Sequence, residues 1–145
     1  MFQTIVVGTD GGARSRQAVE AAAQLARRHE ASLHLVHAFR PTLQTAGIAG
    51  DVTLGYAATT DLDIEATARA QMDDLAKTVG KGLDVHAYCV GQSAADAILS
   101  VAENVDADLI VVGNRGMTGA RRVLGSVPNS VAHGSKCAVL IVPTT

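Results

Sequence analysis

The chain has 145 residues, 48% of them hydrophobic but with no Trp, two Tyr and two Phe, so one domain over 1–145 with a core of Ala, Val, Leu and Ile is expected. Net charge is −2, and Lys and Arg are scattered apart from Arg27-Arg28 and Arg121-Arg122, which excludes a basic stripe that would follow a nucleic-acid backbone. No apolar run approaches the roughly 18 residues of a membrane span and residues 1–5 lack the pattern of a signal peptide, so a cytoplasmic chain without nucleic-acid or membrane partners is expected.

Thr4-Ile5-Val6-Val7-Gly8 is a β-branched run that stops at glycine, and Asp10-Gly11-Gly12 follows as turn chemistry. Ala18, Val19, Ala22, Leu25 and Ala26 then recur with the period of an amphipathic helix, charged residues taking the other faces. Residues 32–39 read as a second strand, parallel to the first through a right-handed crossover. With Pro41, Gly47, Gly50 and Gly55 and little periodicity, 40–60 reads as a long surface loop. A second helix is expected from Thr60-Asp61 to Gly80, on the recurrence of Ala68, Met72, Leu75 and Val79.

Residues 83–90 form a third predicted strand, followed by a turn, Ser93 as N-cap and a helix over 94–104. Residues 108–112 make a fourth strand, 127–134 a short helix with Pro128 in its first turn, and 138–142 a fifth strand. Strands alternating with helices, most of them continuous apolar runs, predict an α/β fold: an open five-stranded parallel sheet with helices on both faces. Such sheets bind ligands beyond the carboxyl ends of their strands, where the winding reverses. With the first strand central, the loops after strands one and four flank that crevice.

Those loops carry the chemistry. Gly113 and Gly116 remove side chains where a ligand approaches the main chain, and Gly125-Ser126 stands where the last helix offers free amides and a dipole suited to an anion. Thr9 and Asp10 come from the first loop; Asp10 suits ribose hydroxyls or a cation, and equally suits capping its own turn. The pair Cys89 and Cys137, far apart and inside apolar runs, reads as small core residues rather than a metal or redox site.

Val6-Val7-Gly8-Thr9-Asp10 with Ser15, Val36-His37-Ala38, Val90-Gly91 with 94–98, and the C-terminal glycine stretch together resemble the ATP-binding subgroup of the universal stress protein family over nearly the whole chain. The resemblance implies a Rossmann-like, adenine nucleotide alpha hydrolase-like sheet, a homodimer joined through strand 138–142, and ATP bound between the loops after strands one and four, with Mg2+ as an accompanying ion. It places Thr9, Asp10 and Ala38 on the adenosine side, has Val112 and Val127 contribute backbone, and sets Gly113, Arg115, Gly116, Gly125 and Ser126 around the phosphates. The family pattern Gly-x2-Gly-x9-Gly-Ser/Thr is one residue short here, since 117–124 is eight residues, so cyclic AMP or AMP stands as an alternative to ATP.

Other chemistries lack their residues. The one Gly-Lys pair, Gly80-Lys81, is followed by Gly82 rather than Ser or Thr, and no Gly-x-Gly-x-x-Gly follows the first strand. His34 and His37 are three apart on a strand and so point to opposite faces. A regulatory nucleotide-binding protein without a catalytic centre is the expected function; a slow ATPase or phosphotransferase using Asp10, or a purely structural dimer, are the competing readings.

Overall fold

The fold is that of a computed structural model describing residues 1–39, 51–114 and 124–144, with the side chains of 51–63 outside the description. Elements run in the order β1 (Thr4–Gly8), α1 (Ala13–His29), β2 (Ser32–Ala38), α2 (Asp51–Val79), β3 (Val85–Val90), α3 (Ala94–Asn104), β4 (Leu109–Asn114), α4 (Ser126–Gly134) and β5 (Ala138–Pro143). All pairings are parallel, and the sheet order is β3-β2-β1-β4-β5. From the central β1 the chain therefore winds outward to β3, crosses back to β4 beside β1, and ends at the far edge in β5.

Period-two alternation sorts the side chains of the inner strands into two cores. Ile5, Val7, Leu33, Leu35, Leu109 and Val111 face α1 and α2, packing on Val19, Ala22 and Met72. Val6, Val36, Ile110 and Val112 face α3 and α4, packing on Ile98, Val101 and Val131. The small residues Ala18, Ala22 and Ala26, each fully buried, let α1 lie close on the sheet, which is how a core without Trp fills its space.

Three sequence expectations need correction. Residues 51–60 are not loop: they form the first turns of α2, which runs unbroken through Gly55. A helix-interior glycine costs about 1 kcal/mol against alanine. Extending an existing helix avoids a new nucleus, so the periodic segment downstream carries its helix back through a stretch of little amphipathicity. Residues 40–50 of that expected loop lie outside the described residues. The second correction lengthens β4 through Gly113 and Asn114, which pair with Val142 and Pro143 of β5. The third strand starts two residues later than expected, because Leu83 N donates to Gly80 O in a turn. Cys89 and Cys137 are half-buried free thiols, and burial pushes the Cys89 thiol up.

His34 and His37 do take opposite faces: His34 joins Tyr88 of β3, whereas His37 Nδ1 lies 3.1 Å from Thr9 O. His34 is buried, 3.0 Å from the Tyr88 hydroxyl through Nδ1 and 3.2 Å from Ser32 Oγ through Nε2, with the His86 ring stacked at 4.8 Å. Ser32 Oγ donates to Gln3 O, so it accepts from His34 Nε2–H, which leaves Nδ1 to accept from Tyr88. Burial, and then His86, hold His34 below the usual histidine range, with Asp84 acting weakly the other way.

In the unfolded chain the ring titrates near its usual value of about 6.5, so between that pH and the lower native value the unfolded chain binds more protons. The stability from neutral His34 is whole above about pH 6.5 and is lost as pH falls through the native value. Urea midpoints of the wild type are expected to decline between pH 7.5 and 5.5, and those of His34→Gln to decline less. Identical slopes would rule out His34 as a source of the dependence.

Candidate functional site

A cleft of about 380 Å³ opens at the carboxyl ends of β1 and β4. The winding reverses there: α1 leaves β1 toward one face of the sheet and α4 follows β4 on the other. The sides of the cleft therefore come from segments more than a hundred residues apart.

The first side is the turn after β1. Gly11 takes a positive φ of 77°, open to glycine at no steric cost, and its N–H donates to Thr9 Oγ1 at 3.1 Å. Thr9 Oγ1 is 2.9 Å from Ser15 Oγ, and Ser15 Oγ donates to Gly12 O at 2.9 Å. With the Ser15 proton committed to that carbonyl, the Thr9 hydroxyl donates to Ser15, and one chain of hydrogen bonds runs through the turn. Asp10 Oδ1 accepts from Gly12 N at 2.8 Å, so the carboxylate caps its own turn while lining the cleft.

The second side is the junction of β4 with α4. Gly113 brings backbone to the cleft wall, where a Cβ would stand 2.9 Å from Thr144 Cγ2. Asn114 is fully buried, and its Oδ1 accepts from Gly125 N at 2.9 Å, tying the end of β4 to the N-cap of α4. The N-cap of α4 is Gly125, which has no side chain to cap it, so among the described residues the dipole and the first-turn amides suit an anion, a contact worth about 0.3 to 2 kcal/mol according to burial. Ser126 and Val127 line the cleft from that first turn, and Val112 and Ala38 close its apolar floor with Val36 and Ile98.

Every sequence-expected site residue among those described thus lines this one cleft: Thr9, Asp10, Ala38, Val112, Gly113, Gly125, Ser126 and Val127. Arg115, Gly116, Arg121 and Arg122 lie outside the described residues. Sequence reasoning missed Asn114, which sat unread inside Gly-x-x-Gly, and Thr144, which lies beyond the last predicted strand and carries no motif. Among the described residues, Asp10 is the sole carboxylate lining the cleft, and no group of three His, Cys, Asp or Glu side chains is placed to hold a metal ion. No described helix is long and apolar enough to cross a membrane.

A parallel five-stranded sheet with a polar-rimmed, apolar-floored cleft at its switch point defines a protein of the doubly wound α/β class with a candidate ligand cleft. The model of the universal stress protein family matches residues 1–143, and the chain belongs to that family. It is 38% identical over 151 residues to a universal stress protein of Mycobacterium tuberculosis strain H37Rv, covering 99% of this chain and 98% of that protein. It is 37% identical over 127 residues to universal stress protein A homolog 2 of Coxiella burnetii, covering 88% of this chain and 84% of the relative. Among solved structures, a universal stress protein in complex with cAMP superposes with a TM-score of 0.74 at 34% identity, over 99% of this chain and 98% of the other.

Proposed function

We propose that the cleft binds an adenine nucleotide, and that this cytoplasmic protein is a regulatory stress-response factor whose interactions change with occupancy, not a dedicated enzyme. The observation that carries the reading is the meeting of Gly113, the uncapped α4 N-terminus and Ser126 with the Thr9–Asp10 turn around one cleft of nucleotide-accommodating size. The apolar floor suits a base, and amides and hydroxyls near the α4 end suit phosphate. The relative in complex with cAMP supports the ligand class and keeps cAMP beside ATP and AMP as candidates. Mg2+ would accompany ATP only, with Asp10 as its nearest carboxylate among the described residues.

The homodimer belongs to the same proposal. β5 is a sheet edge, and its Leu140 is 37% exposed, so pairing with a second copy would cover both an open row of backbone groups and an apolar side chain.

Isothermal titration of nucleotide-stripped protein with ATP, ADP, AMP, cAMP and GTP is the direct test. Saturable binding of an adenine nucleotide without GTP binding is the expected result; a dissociation constant near 1 µM would correspond to about −8.2 kcal/mol. Absence of heat with every adenine nucleotide would leave the fold as it is and favour a structural dimer.

A further inference from the structure

We propose that Thr144, immediately after β5, is a further ligand-binding residue of the cleft, its side-chain hydroxyl donating to a phosphate oxygen of the bound nucleotide. The inference rests on the nucleotide reading above and adds a residue that lies outside the glycine motif.

Thr144 is only 3% exposed, yet it lines the cleft. Its backbone N donates to Asn114 O at 3.3 Å, continuing the β4–β5 pairing one residue past Pro143. Its Oγ1 makes no hydrogen bond among the described residues. The hydroxyl keeps accessible surface on the cleft side, where an acceptor on a bound molecule can take its proton.

Position identifies the acceptor's chemistry. The Thr144 methyl packs toward Gly113, 2.9 Å from where a Cβ would stand, and Oγ1 lies 3.7 Å from that same point. Asn114, whose carbonyl holds Thr144 N, also holds Gly125 N through its side chain. Thr144 thereby follows directly on the pairing that ties β4 to the start of α4, and its side chain stands beside Gly113 in the cleft wall, on the sheet face where Ala18 of α1 packs. A neutral donor there adds one charge-assisted hydrogen bond to an anionic oxygen. The backbone close approach at Gly113 is what makes room: a side chain at 113 would meet the Thr144 side chain.

The test titrates wild type, Thr144→Val and Thr144→Ser with AMP, cAMP and adenosine. Thr144→Val is expected to weaken AMP and cAMP binding by roughly tenfold to a hundredfold, as for a lost hydrogen bond to a charged group, and to leave adenosine within about twofold. Thr144→Ser, which keeps the hydroxyl, is expected to bind like wild type. Without ligand, Thr144→Val should unfold at a midpoint no lower than wild type, because valine keeps the methyl against Gly113. Wild-type binding of AMP or cAMP that is unchanged in Thr144→Val would overturn the role of Thr144 and leave the nucleotide reading intact. An equal loss for adenosine and the phosphorylated ligands would overturn it in favour of packing. Failure of wild type to bind any of the three, or ATP, would instead remove the nucleotide reading itself.

Discussion

Leu35→Ala is expected to lower unfolding free energy by about 2 to 5 kcal/mol, a large part of the 5 to 15 kcal/mol typical of a domain. Leu35 is fully buried on β2, in the core that α1 and α2 close, where Ile5, Val7, Val19 and Met72 belong to the same cluster. The cost has two parts: apolar surface returned to water, and a cavity that the neighbours cannot fill. Here the second part is large, because the strand lies between β1 and β3 and cannot move inward without breaking ladder bonds to both. Urea unfolding should show the fall in midpoint with an unchanged slope, since the area exposed on unfolding hardly alters. A loss under about 1 kcal/mol would mean that the helices settle into the hole and that this core is less rigidly packed than its alanine-lined contacts imply.

Asn114→Ala is expected to cost about 2 kcal/mol or more and, unlike Leu35→Ala, to damage the cleft directly. The fully buried side chain spans β4 and α4 by accepting from Gly125 N, and its loss leaves that part-buried donor without its acceptor. Its removal also frees the α4 N-terminus to shift, so affinity for an adenine nucleotide should fall at least as far as stability does. Asn114→Leu separates the causes: it restores volume without an acceptor. If the hydrogen bond is what matters, Leu will be as harmful as Ala in both urea unfolding and nucleotide titration. Recovery with Leu would instead assign the effect to packing, and the junction would hold without its amide.

Much of this molecule was legible from local pattern. Ile5-Val6-Val7 reads as a strand because both faces of a central parallel strand are buried, and Ser93 reads as an N-cap because its hydroxyl accepts from Asp96 N, as the structure has it. The turn residues Thr9 and Asp10 were legible for the same reason, because their side-chain bonds within the turn span six positions or fewer. The features that escaped depend on partners far along the chain. Gly113 looks like the end of a strand, but pairing with Val142 carries β4 two residues further. Asn114 and Thr144 acquire their places through that pairing, and no window around either residue contains it. Residues 51–60 escaped in the opposite way: their own composition argues for loop, and the helix they belong to is set by the periodic segment from Ala68 to Val79.

The cleft gathers Gly8 to Asp10, among the earliest ordered residues, with Gly125 to Val127 and Thr144, among the last. A nascent chain leaving the ribosome carries one wall of it long before the other exists, and α1 to α3 must find their places with the cavity still open. Until both walls stand together, a small molecule has only half of the cleft to grip. A ligand that binds only the closed arrangement thus acts as a seal on finished molecules, adding about 2.7 kcal/mol at a hundredfold excess over its dissociation constant. The lifetime of the folded chain would then follow the supply of that ligand, longer when it is plentiful and shorter when it is scarce.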